Sequence, residues 1–134
     1  MSQLSKTPRI SSSLVIFSPI LTENTTSDYQ ILLLKRKANM SFGNLLAFPG
    51  GVLDKDDRKM FTELPKEQKE LFESEEDNFI INRITALRET FEETGLFFMN
   101  PKAFRKNDIF TMVQLLKEKN ALTFEKLIEK FGLP

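Results

Sequence analysis

Three glutamates near the middle of the chain, Glu89, Glu92 and Glu93, occupy positions i, i+3 and i+4. On a helix, this spacing directs the three carboxylates over about 100° of arc on one face. Carboxylates so close together repel each other in water, whereas a divalent cation converts the same crowding into ligation. The spacing is therefore compatible with a metal site, although a glutamate-rich helix face is more often simply solvated.

Adjacent glycines, Gly50 and Gly51, follow Phe48 and Pro49 upstream of the glutamates. Because glycine carries no side chain, the backbone there can approach a metal ion or a phosphate closely. A Pro-Gly-Gly sequence is otherwise an ordinary turn. The glutamates and the glycines are weak signals separately, and their occurrence in this order is more specific.

The 134-residue chain contains no cysteine and no histidine. These absences exclude disulfides, zinc–thiolate sites, cysteine nucleophiles and Ser-His-Asp triads. Any metal site must use oxygen ligands, which suit hard cations such as Mg²⁺, Mn²⁺ or Ca²⁺. Net charge is zero, so we expect no nucleic-acid partner. No apolar run approaches the roughly 20 residues of a membrane span, so we expect no membrane insertion.

The element that must position the glutamates is a predicted helix with Ser74 as its N-cap, acidic residues 75–77 in its first turn, and Gly95 just after its end. Its apolar residues recur with helical spacing at Ile80, Ile84, Leu87 and Phe91. This stripe lies opposite the glutamates. We therefore expect the stripe to be buried and the glutamates to point into a cleft beside the two glycines.

Four strands are predicted, at residues 13–18, 29–35, 45–48 and 96–99. The unbroken apolar run within 29–35 predicts a central strand that is buried on both faces. Helices are predicted at residues 109–119 and 124–131, with Thr123 as the N-cap of the second. The charged stretch 54–72, with a short helix starting near Pro65, is expected to be an exposed insertion that can be deleted without unfolding the core.

Residues 88–96 (RETFEETGL) resemble the second half of the Nudix box, G-x5-E-x7-R-E-U-x-E-E-x-G-U, in which U is apolar. Every fixed letter from Arg88 onward is present, and Thr90 replaces an apolar residue. Residues 48–51 (FPGG) resemble the approach to that box. The resemblance, which runs from about residue 11 to residue 99, implies an α/β (α+β) Nudix-like fold: a mixed sheet with the box helix packed on it. We expect a flexible leader at 1–10 and one domain at 11–134, with an insertion at 54–73.

In that family, the box glutamates bind Mg²⁺ or Mn²⁺, and water attacks a diphosphate linkage. By position, the resemblance implies that Glu89, Glu92 and Glu93 are the catalytic and metal-binding residues and that the Gly51 carbonyl adds a ligand. The resemblance also implies structural roles for Arg88, which would orient a glutamate, and for Gly50 and Gly95. Lys35 and Arg36 either contact substrate phosphates or form a solvated strand end, with equal weight.

The chain also departs from the pattern. Gly51 and Arg88 are 37 positions apart, so about 23 residues are inserted relative to the uninterrupted box. Counting back from Arg88 places Ile80 where the first box glutamate belongs, and Glu75 or Glu76 is the alternative. The insertion, with LLLKRK at residues 32–37 and the downstream FPGG, is similar to the animal acyl-coenzyme A diphosphatase branch.

The resemblance leaves two functions open. One is metal-dependent hydrolysis of a coenzyme A-like or nucleoside diphosphate-linked small molecule. The other is a catalytically incomplete Nudix-derived module that binds a ligand or partner. Because few strands precede the C-terminal helices, we expect that the C-terminal part of the fold is missing and that an uncovered apolar surface promotes homodimerisation. Family resemblance alone allows a mitochondrial or peroxisomal compartment, without a clear targeting signal.

Overall fold

The computed structural model describes residues 8–20, 29–39, 42–70, 76–98 and 123–132 as an α+β fold. This confirms the predicted fold class. The strands are β1 (Ser11–Ser13), β2 (Phe17–Pro19), β3 (Tyr29–Ile31), β4 (Leu34–Lys35), β5 (Leu46–Ala47) and β6 (Gly50–Val52). The helices are α1 (Lys55–Glu63), α2 (Lys66–Glu70), α3 (Asp77–Thr94) and α4 (Phe124–Phe131).

The described strands pair in three antiparallel ladders, β1 with β6, β2 with β3, and β4 with β5. Ser12 lies opposite Gly51 in the first ladder. The Leu14 amide donates to the Pro49 carbonyl just beyond it. The segment that carries β1 and β2 therefore pairs first with the glycine strand and then with β3, so that the predicted strand 13–18 is divided between two partners.

One face of the β2–β3 ladder is exposed. Side chains alternate between the faces of a strand, and Phe17, Tyr29, Ile31 and Leu33 all point outward, with exposed fractions from 42% at Leu33 to 70% at Phe17. Leu32, on the opposite face, is only partly exposed. The prediction that residues 29–35 are buried on both faces is therefore wrong. All residues of β2 and β3 themselves are exposed.

Helix α3 confirms the predicted amphipathic pattern. Ile80, Ile84 and Leu87 are buried in the core, and Phe91 packs against them. The helix ends at Gly95, which adopts φ +75° and donates its amide to the Phe91 carbonyl. Glycine favours this left-handed conformation because it has no Cβ atom.

The two boundaries of α3 differ from the prediction. The helix begins at Asp77, and its N-cap is Glu76, whose side chain makes no capping hydrogen bond. The prediction of Ser74 as the N-cap is therefore wrong, and Ser74 itself lies outside the described residues. Residues 96–98 form no strand, so that prediction is also wrong for them. Met99 lies outside the described residues.

The segment that was expected to be an exposed insertion contributes to the core. Helix α1 begins with a capping box in which the Asp54 side chain accepts a backbone hydrogen bond and the Asp57 side chain bonds the Asp54 amide. Met60 and Leu64 are buried against α3 and α4. Most residues of 54–70 are exposed, as predicted. The buried exceptions are Asp57, Met60 and Leu64, which form an inward helical stripe among charged neighbours. That the stretch can be deleted stays a prediction.

Helix α4 closes the described core. Thr123 accepts a hydrogen bond from the Lys126 amide at 3.4 Å, as expected of an N-cap. Phe124, Leu127 and Ile128 are buried, which confirms the helix predicted at 124–131. The helix predicted at 109–119 lies outside the described residues. Within the described ranges, no helix combines the length and the apolarity that a bilayer crossing requires.

Candidate functional site

A buried ion pair joins α1 to α3. Arg88 Nε donates to Asp57 Oδ1 at 2.7 Å, and a terminal nitrogen of the same guanidinium donates to Asp57 Oδ2 at 3.1 Å. This two-point contact matches the planar donors of arginine to both oxygens of a carboxylate. Asp57 is fully buried and Arg88 almost so. The pair therefore holds the Arg88 guanidinium against α1.

Asp57 is held from three sides. In addition to Arg88, it accepts hydrogen bonds from the Thr85 hydroxyl and the Asp54 amide, both at 2.9 Å. Burial alone would raise the pKa of Asp57, but the hydrogen bonds from Arg88, Asp54 and Thr85 together hold that pKa below its ordinary value. In turn, the hydrogen bond to Asp57 raises the pKa of Arg88. Both groups are charged at neutral pH.

The remaining contacts of the Arg88 guanidinium reach two of the three candidate glutamates. It donates to Glu89 Oε1 at 3.0 Å and to Glu92 Oε2 at 3.1 Å. It also donates, at 3.3 Å, to the carbonyl of Val52, the last residue of the glycine strand β6. The guanidinium therefore links Asp57, the glutamates and β6, so that its position determines where these two carboxylates lie.

The two glycines of β6 lie directly against the glutamate face. The Gly50 amide donates to Glu93 Oε2 at 3.1 Å. A Cβ atom at Gly51 would overlap the carboxylate of Glu89, so any other residue there would force this carboxylate to move. The structure thus brings two of the three glutamates, Glu89 and Glu93, beside the glycine pair, where the sequence predicted all three.

Glu92 is placed differently. Its side chain is about half exposed (52%) and contacts Arg88 rather than the glycines. Within the described part of the chain, no three Asp, Glu, His or Cys side chains converge closely enough to hold a metal ion. The arrangement therefore consists of two carboxylates beside a glycine backbone and a third that is held to one side by Arg88.

The other predicted residues are more distant from this arrangement. Lys35 is exposed on β4, and Arg36 follows it, with its amide bonded to the Leu45 carbonyl. In the ranges that the structure describes, no hydrogen bond or ion pair connects Lys35 with the glutamates. Gly95 ends the helix and has no neighbour where a Cβ atom would stand. Its role is to end α3, whose last residue, Thr94, directly follows Glu93.

Thr90 occupies the position where the Nudix pattern has an apolar residue. It is fully buried, and its hydroxyl donates to the Ala86 carbonyl at 2.7 Å. Because this bond satisfies the hydroxyl within the helix itself, the polar group is buried without an unpaired donor. The substitution is therefore compatible with the packing of α3.

Asp57 is the residue that sequence reasoning missed. Counted backward from Arg88, the Nudix pattern places its first glutamate at Ile80, which is a buried core residue. The same pattern counted forward from Gly51 places its first acidic position at Asp57. The contact between Asp57 and Arg88 is compatible with the forward count.

Comparison with known proteins gives one informative similarity. No family model matches the chain, and no solved structure matches it. The acyl-coenzyme A diphosphatase NUDT19 of Xenopus laevis is 29% identical in an alignment of 119 residues. The match covers 69% of this chain and 31% of that protein. The chain thus spans about a third of the length of the curated relative it matches. This similarity supports a relationship to a Nudix diphosphatase in general terms.

Proposed function

We propose that this chain is a Nudix-type domain that hydrolyses a diphosphate linkage in a small-molecule substrate. The observation that carries the proposal is the placement of the Glu89 and Glu93 carboxylates against Gly50 and Gly51, with Arg88 anchored by Asp57 behind them. The similarity to an acyl-coenzyme A diphosphatase supports the same reaction class. Hydrolysis adds water across the P–O–P linkage and yields two phosphate-terminated products.

The donor atoms available are those that Mg²⁺ or Mn²⁺ prefers, because every side-chain ligand on this face is a carboxylate oxygen. We assign Glu89, Glu92 and Glu93, with the Gly51 carbonyl, as the residues that would hold the cation. When bound, a divalent cation neutralises phosphoryl charge and lowers the pKa of a bound water molecule. The glycine backbone lets the Glu89 carboxylate lie directly against Gly51, since a Cβ atom there would overlap it.

The chain's own residues have distinct roles in this proposal. Arg88 holds Glu89 and Glu92 in place. The Gly50 amide orients Glu93 through a hydrogen bond. A coenzyme A-like molecule is the first substrate to consider, because the relative is named for that activity, and a nucleoside diphosphate-linked metabolite is the second. We assign Lys35 and Arg36 to the substrate phosphates.

A second function, that of a non-catalytic module that binds a ligand or partner, is favoured by one specific observation. In the described residues, Glu89 and Glu92 are both engaged by Arg88, and no group of three acidic side chains forms a metal-binding cluster. A domain in which these internal contacts persist would lack the cation that hydrolysis needs and would act only by binding a ligand or a partner.

The experiment that separates the two functions is an assay of the purified chain against a panel of diphosphates, with and without Mg²⁺ or Mn²⁺. The panel includes coenzyme A, an acyl-coenzyme A and nucleoside diphosphate-linked sugars, with binding measured in parallel. Metal-dependent release of phosphate-terminated products supports the enzyme. Saturable binding without turnover under any metal condition supports the module.

A further inference from the structure

A cavity lies between α1 and α4, and its described lining does not include Arg88 or the candidate glutamates. It has a volume of about 540 Å³, within the range of roughly 300–1,000 Å³ that is usual for small-molecule sites. Its apolar lining comes from Met60, Leu64, Pro65 and Ile128. Met60, Leu64 and Ile128 are themselves buried core residues, so the floor of the cavity is continuous with the folded core.

The described rim of this cavity is acidic. Lys59 and Glu63 form an ion pair at 3.7 Å and largely compensate each other. Asp56, Glu125 and Glu129 also line the cavity, and none of them has a cationic side chain within ion-pair distance in the part of the chain that the structure describes. The rim therefore presents an excess of negative charge above an apolar floor.

We propose that the cavity between α1 and α4 binds a small organic cation with an apolar body. An alkyl or ring body would gain free energy by leaving water for the apolar lining of the cavity. An ammonium or guanidinium group would remain at the rim, near Glu125 and Glu129, where carboxylates attract it. An anionic ligand is disfavoured by the same charges. The inference does not depend on diphosphate hydrolysis, because none of these residues contacts Arg88.

Two of the three rim carboxylates have another reason to be acidic. Asp56 and Glu125 lie in the first turns of α1 and α4, where negative charge stabilises a helix whether or not a ligand binds. Glu129 lies beyond the first turn of α4 and has no such role. A substitution of Glu129 therefore tests the cavity with the least effect on the helix that forms its wall.

The test uses octylammonium as the probe and octanol as its uncharged counterpart, with binding followed in amide NMR spectra of the whole chain. We expect saturable shifts centred on residues around Met60 and Ile128, and an affinity for octylammonium at least about 10-fold higher than for octanol. Glu129→Gln should weaken octylammonium binding about 3- to 10-fold, while leaving octanol binding unchanged. Glu67→Gln is the matched control, because Glu67 is an exposed α2 residue outside the cavity lining.

Each alternative outcome overturns the inference. Equal affinity for octanol and octylammonium would reduce the cavity to an apolar surface without charge selection. Equal weakening by Glu129→Gln and Glu67→Gln would show that only the overall charge of the chain matters. The absence of saturable shifts around Met60 and Ile128 with octylammonium would show that the cavity does not bind this class of ligand.

Discussion

Arg88 Nε donates to Asp57 Oδ1 at 2.7 Å, although the two residues are separated by 31 positions in the sequence. The contact joins the helix that carries the candidate glutamates to a helix that the sequence alone assigned to an exposed insertion. Because Arg88 also holds Glu89 and Glu92, α1 is part of the framework of the site. Stability and site geometry should therefore depend on the same buried carboxylate.

The first prediction tests this pair through stability. Asp57→Asn leaves the buried guanidinium without its carboxylate, and removal of one partner of a buried ion pair lowers the free energy of unfolding by about 3–5 kcal/mol. Urea denaturation measures the change. Asp56→Asn is the control, since Asp56 is exposed in the same helical turn, and it should cost no more than about 1 kcal/mol. Equal effects of the two substitutions would show that the Asp57–Arg88 ion pair does not stabilise the fold.

The second prediction concerns pH. The pKa of Asp57 is lowered in the folded state, and its unfolded value is about 3.9. The carboxylate therefore contributes stability that is fully present above the unfolded pKa and is lost as pH falls through the folded pKa. Arg88 stays charged across this window.

Urea unfolding of the unmodified chain and of Asp57→Asn from about pH 7 to about pH 3 measures that contribution as a difference. We expect a constant difference down to about pH 5 and a shrinking difference below about pH 4. A difference that stays constant throughout would show that the Asp57 carboxylate is not the group responsible.

The third prediction concerns the close approach of strand and helix. Gly51→Ala introduces a methyl group that overlaps the Glu89 carboxylate, so Glu89 must move from its contact with Arg88. We expect hydrolysis to fall by at least about 10-fold, because small displacements of site groups reduce rates strongly. Gly95→Ala is the control: it has open space for the methyl group, but its φ of +75° should reduce stability by about 1 kcal/mol. Retained turnover in Gly51→Ala would place Glu89 outside the site.

The fourth prediction concerns the exposed face of the β2–β3 ladder. The rings of Phe17 and Tyr29 pack edge to face at a centroid distance of 6.3 Å, and both are largely exposed. We propose that this face supports a weak homodimer, so that Phe17→Ser should raise the dissociation constant at least about 10-fold in sedimentation experiments. Phe42→Ser, at a more exposed phenylalanine outside the ladder, should leave the constant unchanged. A monomer at every concentration would contradict the dimer.

The sequence predicted α3 well, because its apolar residues follow a single helical period and Gly95 marks its end. It did not predict the packing of α1. The inward side chain there is charged, and Asp57 resembles a solvated residue until its distant partner Arg88 is known. For residues 29–35, the pattern correctly shows apolar side chains on both faces. A pattern within one segment cannot show whether another element covers each face, and the outward face is exposed.

The candidate site was predictable to a similar degree. The helical spacing placed the three glutamates on one face, and the structure brings Glu89 and Glu93 to the glycine strand. The engagement of Glu92 by Arg88 depends on where the guanidinium is anchored. That anchor comes from α1, and the residue spacing within α3 contains no sign of it.

One pair of variants tests diphosphate hydrolysis at the glutamate face. Both are assayed with coenzyme A and other diphosphates in the presence of Mg²⁺. Glu93→Gln removes a carboxylate charge and nearly preserves the side-chain shape, so we expect turnover to fall at least about 100-fold with little change in stability. Glu76→Gln, at the exposed N-cap of the same helix, should retain full turnover. We expect robust Mg²⁺-dependent hydrolysis that Glu93→Gln abolishes and Glu76→Gln preserves. Near-normal turnover in Glu93→Gln would show that hydrolysis does not take place at the glutamate face.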